Sequence, residues 1–165
     1  MTAYEIRPAT VDDAVAIAEI YALYVRTSTV TFELDPPPAE EIVRRMQGIR
    51  ELGLPYLVAE DGGRVIAYAY AGQFRPRPAY RFTIEDSIYI APSHVGRGLG
   101  RRLLATLLDR GREAGARQMV GGFSGENPAS LALHVSFGFH LVGVFRSVGF
   151  KFDQWIDVTW MQRAI

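Results

Sequence analysis

The sequence contains no cysteine and only three histidines, and these absences restrict the chemistry open to it. A chain without thiols forms no disulfide, thiolate metal site or cysteine nucleophile, and its composition suits a reducing compartment. The three histidines, His94, His134 and His140, lack the paired spacing of metal-ligand motifs such as His-Glu-x-x-His. We therefore expect a cytoplasmic protein that holds no metal.

The sequence also has no excess charge of either sign, because 18 Lys and Arg residues balance 18 Asp and Glu residues. A chain without net charge creates no general field that attracts nucleic acid or an anionic membrane. No apolar run is long enough to span a bilayer, and the first residues lack the apolar core of a secretory signal. The composition therefore predicts a protein that binds neither nucleic acid nor a membrane.

What the sequence does contain is enough apolar material for a packed core. Its 165 residues are 48% hydrophobic, and this length predicts a single domain over residues 1–165. Periodicity and turn signals predict elements in the order β-α-α-β-β-β-α-β-α-β-β. This order implies an α/β (α+β) protein with a mixed sheet flanked by helices.

Proline, glycine and capping residues set the bounds of the predicted elements. Thr10 is expected to cap the first helix, and Asp61-Gly62-Gly63 to form a hairpin turn. The other bounds are a strand at Tyr4–Arg7, a helix at Pro38–Glu51, hairpin strands at Tyr56–Glu60 and Arg64–Phe74, a strand at Arg81–Ile90, a helix at Gly98–Ala114, a strand at Gln118–Phe123, a helix from Gly125–Ser130 to Gly138, and strands at His140–Val148 and Phe152–Trp160 divided by Gly149.

The predicted strand Arg81–Ile90 carries acidic residues on both of its faces. Alternation places Glu85 and Ser87 on a polar face, and Asp86 on the apolar face that also carries Ile88. Because Asp86 interrupts that apolar face, we expect a β-bulge beside it, and bulges often lie next to active sites.

A glycine-rich turn, Gly96-Arg97-Gly98-Leu99-Gly100, connects this strand to the next predicted helix. Glycines permit positive φ, so successive backbone N–H groups can converge on one anion, and the helix N-terminus adds its dipole. Further positive charge comes from three arginines of the same stretch, Arg97, Arg101 and Arg102. The spacing matches neither a P-loop nor a dinucleotide fingerprint. The turn predicts phosphate or pyrophosphate binding; a plain strand-to-helix turn is the alternative.

The spacing Gly-x-Gly-x-Gly after a strand ending Glu-Asp-Ser-Ile-Tyr-Ile resembles the pyrophosphate loop of the GNAT acetyltransferase superfamily. That resemblance implies acetyl-CoA as cofactor. The superfamily pattern Gln/Arg-x-x-Gly-x-Gly/Ala maps onto Val95, Gly98 and Gly100, and Val95 departs from it. A second superfamily pattern, Asn-x-x-Ala-x-x-x-Tyr-x-x-x-Gly-Phe, is similar to the stretch from Asn127 to Phe139, in which Ser130 holds the small position and His134 the Tyr position.

Three further stretches resemble the subgroup that contains phosphinothricin and methionine sulfone acetyltransferases. They are Thr31–Glu33, Thr83–Ile90 and Gly149–Asp157. The resemblance implies a mostly antiparallel sheet of six or seven strands with about four helices, and a homodimer. It also implies transfer of acetyl from acetyl-CoA to the α-amine of a small amino acid analogue.

The resemblance also implies roles for individual residues. Glu85 corresponds to a general base that deprotonates the amine, and its alternative is a solvated or ion-paired carboxylate. His134 could protonate the departing thiolate, and its alternative is a packed core histidine. A backbone N–H near Ile88–Ile90 is implied as the donor to the developing oxyanion. The implied cofactor contacts are Ile88, Tyr89, Ile90, Val95, Gly96, Arg97, Gly98, Leu99, Gly100, Arg101, Asn127 and Ser130.

Substrate contacts are expected on the stiff Arg75-Pro76-Arg77 loop, where a guanidinium could bind a substrate carboxylate at two points. The expected substrate-binding set is Phe32, Glu33, Arg75, Pro76, Arg77, Glu85, Asp86 and Ser87. Two alternatives stay open. One is an enzyme that acetylates a peptide N-terminus, polyamine or aminoglycoside, and the other is a catalytically silent acyl-CoA sensor.

Overall fold

The computed structural model of the chain describes residues 4–165. Its centre is a seven-stranded sheet in the order β1-β2-β3-β4-β5-β7-β6, in which only β4 and β5 run parallel. The strands are β1 (Glu5–Pro8), β2 (Tyr56–Asp61), β3 (Arg64–Gln73), β4 (Thr83–Ile90), β5 (Gln118–Ser124), β6 (His140–Lys151) and β7 (Gln154–Ala164). The predicted mixed, mostly antiparallel sheet is therefore confirmed.

Four α-helices cover the two faces of the sheet. They are α1 (Ala14–Thr27), α2 (Ala39–Glu51), α3 (Leu99–Glu113) and α4 (Pro128–Ser136). The apolar stripe of α3, which includes Leu103, Leu104 and Leu107, packs with α4 on one face. On the other face α1 and α2 pack against Tyr56 and Tyr68. The predicted order of elements is confirmed; short 3-10 turns at Val11–Asp13, Pro78–Tyr80 and Pro92–His94 are added.

The start of the first helix differs in detail from the prediction. Thr10 caps the 3-10 turn that leads into α1, and its backbone N–H donates to the Asp13 carboxylate at 2.6 Å. The same carboxylate accepts two bonds from the Arg7 guanidinium. The capping residue was predicted correctly, and the turn it caps is 3-10 rather than α.

The predicted bulge beside Asp86 is wrong. The β3–β4 register runs without a shift from Gln73 opposite Ile84 to Ala67 opposite Ile90. Asp86 remains on the apolar face of β4 and is buried there. A buried carboxylate requires a partner, and a side chain of α4 supplies it, so the strand does not need to distort.

The predicted division of the C-terminal strands at Gly149 is also wrong. Strand β6 continues through Gly149 to Lys151, and Phe152 and Asp153, both at positive φ, form the two-residue turn. Gly149 lies directly beneath the Phe32 ring, where an added Cβ would collide with the ring. The glycine is therefore needed for close approach and not for a turn.

None of the helices in residues 4–165 is long and apolar enough to cross a membrane.

Candidate active site

A groove opens in the sheet where β4 and β5 stop pairing. The two strands are paired only from Thr83 to Glu85, opposite Gln118 to Val120. Beyond Glu85 a groove of about 420 Å³ is lined by β4, by the glycine-rich turn with the start of α3, by the end of β5 and by α4. The parallel pairing therefore ends directly before Asp86.

One end of this groove is formed by the glycine-rich turn. Gly98 is the N-cap of α3 with φ +78°, and Gly96 has φ +79°, conformations that other residues rarely adopt. The first helical bond runs from the Arg102 N–H to the Gly98 carbonyl, and no side chain caps the helix. The N–H groups of the first turn therefore have no intrahelical acceptor, and Gly98, Leu99 and Gly100 line the groove. This arrangement suits a phosphate group.

The three arginines near this turn differ in their surroundings. Arg101 lines the groove, donates to the Ser136 hydroxyl at 3.0 Å and lies over the Phe137 ring. Arg97 is exposed and does not line the groove. Arg102 donates to the Tyr4 carbonyl at 2.7 Å, near β1. Of the three expected positive charges, only that of Arg101 lies at the groove wall.

Asp86 and His134 meet at the groove, and each side chain is only 3% exposed. His134 Nε2 lies 3.0 Å from Asp86 Oδ2, and its Nδ1 lies 2.7 Å from the Ser130 carbonyl oxygen. Burial lowers the pKa of His134, but the hydrogen bond and charge of Asp86 and the Ser130 carbonyl outweigh burial and raise it above the usual value. Asp86 Oδ1 is buried without a hydrogen-bond partner in residues 4–165.

Glu85 points to the opposite face of β4 from Asp86. Burial is the main cause that raises its pKa above the usual range; the nearby charge of Asp86 raises it further, and Arg75 lowers it. Glu85 lies at the last β4–β5 pair, opposite Gly72 on β3. It therefore lies where the groove begins, although it does not line it.

The Glu85 face of the sheet holds a second cavity of about 480 Å³. It is lined by Arg75, by Thr83 of β4, by Val120 of β5 and by Trp160 of β7. The Arg75 guanidinium lies 4.6 Å from the centre of the Phe74 ring. Thr83 and Val120 flank the Glu85 position and line this cavity, whereas Asp86 and Ser87, the next residues of β4, line the groove, so Glu85 lies between the two.

The other expected substrate residues are dispersed. Ser87 and Asp86 line the groove, whereas Pro76 and Arg77 lie on the exposed loop after Arg75. Phe32 covers Gly149. Glu33 accepts bonds from the Tyr21 hydroxyl and the Arg45 guanidinium, so its carboxylate is held in an ion pair with α2.

The profile of the Acetyltransferase (GNAT) family matches residues 15–139, which contain the groove. The chain belongs to the GNAT acetyltransferase family. It is an acetyl-CoA-dependent N-acetyltransferase, and the resemblance read from its motifs is confirmed.

Curated relatives match this GNAT enzyme over most of their length. The chain is 52% identical to a phosphinothricin N-acetyltransferase of Alcaligenes faecalis over 156 residues, which are 93% of this chain and 79% of the relative. It is 40% identical over 150 residues to the L-amino acid N-acyltransferase MnaT of Escherichia coli K12, covering 91% of this chain and 87% of the relative.

Solved structures give the same result for the fold. A phosphinothricin acetyltransferase of Sinorhizobium meliloti, in complex with AcCoA, superposes with a TM-score of 0.96 and 43% identity, covering 100% of this chain and 89% of that chain. The yncA protein of Salmonella typhimurium with its cofactor acetyl-CoA superposes with a TM-score of 0.95 and 38% identity, covering 98% and 94%.

The groove of this GNAT enzyme fits acetyl-CoA. The uncapped first turn of α3 has backbone donors that suit a pyrophosphate, and Gly100 of this turn lies beside Leu133 of α4. All of the predicted cofactor contacts except Arg97 line the groove, namely Ile88, Tyr89, Ile90, Val95, Gly96, Gly98, Leu99, Gly100, Arg101, Asn127 and Ser130. Asn127 also caps α4, since its side-chain oxygen accepts from the Ser130 N–H at 3.2 Å.

Three features of the site were not identified from the sequence. The pairing of Asp86 with His134 was missed, although a single acidic residue on an apolar strand face is a signal for a buried partner. Tyr24 donates its hydroxyl to the Ile90 carbonyl at 2.6 Å and so holds the end of β4. Lys151 is buried and donates to the Thr31 carbonyl at 2.9 Å. The last two contacts join residues far apart in sequence and have no local signal.

Proposed function

We propose that the enzyme transfers the acetyl group of acetyl-CoA to the α-amine of a small amino acid analogue of the phosphinothricin, methionine sulfone or methionine sulfoximine type. The names of the relatives, a phosphinothricin N-acetyltransferase at 52% identity and an L-amino acid N-acyltransferase at 40%, support an amino acid or amino acid analogue as the acceptor. The observation that carries the proposal is the position of Glu85 between the cofactor groove and the cavity lined by Arg75.

In this proposal Glu85 is the general base. An α-amine is largely protonated at neutral pH and must lose a proton before it can attack the thioester. Burial raises the pKa of Glu85 above its usual value, which makes its carboxylate a stronger base. Proton transfer proceeds directly or through one water molecule.

The cofactor is held by backbone groups at both ends of the groove. The Gly96–Gly100 turn and the first turn of α3 bind the pyrophosphate, and the β4 segment Ile88–Ile90, unpaired on its β5 side, supplies a backbone donor for the charge that develops on the acetyl oxygen. His134 provides the proton for the coenzyme A thiolate.

The substrate lies in the cavity on the Glu85 face. Arg75 or Arg77 binds its carboxylate, and Phe32 is proposed to pack against its side chain. Asp86 and Ser87 were expected to contact substrate as well; Ser87 keeps that proposed role, whereas Asp86 is already bonded to His134.

A panel of amines tests the substrate class. Release of free thiol from acetyl-CoA is measured with methionine sulfone, methionine sulfoximine, phosphinothricin, spermidine, an aminoglycoside and a short peptide. We expect turnover with the three carboxylate-bearing analogues. Turnover with spermidine or the peptide alone would reject the substrate class, and thiol release with none of the amines would favour the acyl-CoA sensor.

We further propose a homodimer that forms through the β6–β7 hairpin, and a cytoplasmic location. Seven large apolar residues of this hairpin are each more than half exposed, namely Leu141, Val142, Phe145, Val148, Phe150, Phe152 and Trp155. An exposed apolar surface of this extent on a globular chain is typical of a protein interface.

A further inference from the structure

The Asp86–His134 pair contains more hydrogen-bond acceptors than a neutral histidine can satisfy. The Ser130 carbonyl can only accept, so His134 Nδ1 must carry a proton. Asp86 Oδ2 faces Nε2 at 3.0 Å, and a carboxylate also only accepts. A neutral imidazole protonated on Nδ1 would direct a lone pair at this carboxylate. The contact is therefore attractive only if one additional proton lies between Nε2 and Oδ2.

The surroundings of the ring keep that proton in the pair. Phe123 of β5 and Phe139, after α4, pack edge-on against His134 with ring centres 4.6 and 4.8 Å away, and neither carries charge. Glu85, the neighbour of Asp86 on β4, points to the other face of the sheet. Since both side chains of the pair are nearly inaccessible, a lone charge on either would be costly, whereas the pair with its extra proton is neutral overall.

We infer that Asp86 is a positioning residue that holds His134 as a doubly protonated imidazolium at the wall of the groove, where the pair supplies the proton taken up by the coenzyme A thiolate. This inference rests on the proposed function for its catalytic part. When the bond from the acetyl carbon to sulfur breaks, the sulfur receives the proton shared by Nε2 and Oδ2. The pair is left as a carboxylate and an imidazole protonated on Nδ1, and one proton from solvent restores it.

This role differs from the substrate contact that the sequence suggested for Asp86. Asp86 acts through His134, so its removal should alter the protonation of the ring more than the binding of either substrate. Asp86→Asn is a suitable variant, because the amide N–H of the new side chain can donate to Nε2. The hydrogen bond is then kept while the second ring proton is lost.

The first test is a pH titration of the histidine rings by NMR in the protein without ligands. We expect His134 of the unsubstituted protein to keep both ring protons at neutral pH, and its pKa to fall by about 1–3 pH units in Asp86→Asn. Asp61→Asn is the control, because Asp61 lies 3.5 Å from His94 in a more exposed Asp–His pair and does not line the groove. A neutral His134 at pH 7 in the unsubstituted protein would overturn the inference, even if the variant failed to fold.

The second test is a pair of pH profiles for kcat. A step that requires protonated His134 loses rate as pH rises through the ring pKa, so Asp86→Asn should move this alkaline decline to lower pH and leave the KM for acetyl-CoA nearly unchanged. Asp86→Asn should cause no further loss of kcat when it is combined with His134→Gln. An equal loss of kcat at every pH, or full additivity of the two substitutions, would contradict the inference. Because the titration needs no substrate, failure of the amino acid analogues to react would reject the proposed function alone.

Discussion

Two adjacent carboxylates of one strand have opposite surroundings because a β-strand directs successive side chains to opposite faces. Asp86 is bonded to His134 on the face that α3 and α4 cover. Glu85, on the other face, is opposed by Gly72 on β3, and the charges of Asp86 and Arg75 act on its pKa in opposite directions. We therefore propose Glu85, and not Asp86, as the group that exchanges protons with an incoming amine.

Replacing Glu85 tests this assignment. Glu85→Gln keeps the size of the side chain but cannot accept a proton, so kcat/KM should fall by about 10²-fold or more while acetyl-CoA affinity stays unchanged. Glu113→Gln is the matched control, because Glu113 is an exposed residue at the end of α3 paired with Arg110. Steady-state kinetics and calorimetry give the two quantities. Full activity of Glu85→Gln at pH 7 would move the base to another group.

The pH dependence of the unsubstituted enzyme provides a separate test at the same residue. The base acts when it is deprotonated, and burial raises its pKa, so activity should be lost as pH falls through a value above the usual 4.3 or so of Glu. A profile of kcat/KM against pH measures this acidic limb. An acidic limb with a pKa at or below the usual value of Glu would show that the group that ionises is not the buried Glu85.

For single residues, the sequence predicted which face of a strand a side chain occupies better than it predicted which side chain it contacts. The alternation of β4 correctly separated Glu85 from Asp86, since strand periodicity depends only on local geometry. The bond between Asp86 and His134 joins residues 48 positions apart in sequence. The local pattern indicates that Asp86 needs a buried partner but does not identify His134, and the interruption at Asp86 was wrongly assigned to a bulge.

The helix α3 brings its uncapped N-terminus to the groove, and this placement depends on the turn before it. Gly98 at φ +78° turns the chain into the helix, and an added Cβ at this position would contact no other atom within 4 Å. A side chain there would therefore project into open space beside the helix N-terminus. We therefore expect binding at the proposed cofactor site to be sensitive to charge at this one position.

Gly98→Asp should abolish acetyl-CoA binding, because it adds negative charge where the pyrophosphate is proposed to bind. Gly98→Asn adds a side chain of nearly the same size without the negative charge, and Asn tolerates positive φ. Comparison of the two variants therefore separates the effect of charge from that of bulk. Gly115→Asp, at φ +87° in open space after the end of α3, reproduces the backbone strain away from the groove. Calorimetry with acetyl-CoA should show retained affinity for Gly115→Asp. Unchanged affinity in a folded Gly98→Asp protein would contradict the assignment.

Element bounds were predictable wherever a local signal sets them. The Asp61-Gly62-Gly63 turn and the end of α3 at Gly115 depend on residues that adopt positive φ within the turn itself. Gly149 was also interpreted as a turn glycine, but its missing side chain makes room for the ring of Phe32, which lies in a loop far away in sequence. Sequence alone does not distinguish a turn glycine from a packing glycine.

The whole molecule is a sheet opened between its two parallel strands, with the groove proposed for the cofactor in the opening and the Arg75 cavity on the Glu85 face. The hairpin β6–β7 extends the sheet beyond β5 and carries the exposed apolar residues. Periodicity and turn signals allowed the order of elements to be predicted, and the family motifs allowed the mostly antiparallel sheet to be predicted. The opening between β4 and β5 arises because these strands pair over only three residues each, and no sequence motif predicts the length of this pairing.

Trp155, which is 68% exposed on this hairpin, tests the proposed dimer. Trp155→Asp places a charge in the proposed interface and should convert the dimer into a monomer in light scattering. Val15→Asp is the control, because Val15 is 60% exposed on α1, away from the hairpin. A monomeric unsubstituted protein, or a Trp155→Asp variant that remains dimeric, would contradict the proposed interface.

The most direct test of the account is the ratio of kcat/KM for methionine sulfone to that for its carboxamide. Both compounds carry the same amine and side chain, and they differ in the carboxylate that Arg75 or Arg77 is proposed to bind. A charge-assisted hydrogen bond contributes about 1.5–3 kcal/mol, so the account predicts a ratio of about 10 or more. We expect this ratio to fall towards 1 when the responsible arginine is replaced by Gln. Equal kcat/KM values for the two compounds in the unsubstituted enzyme would contradict the proposed recognition of an amino acid carboxylate.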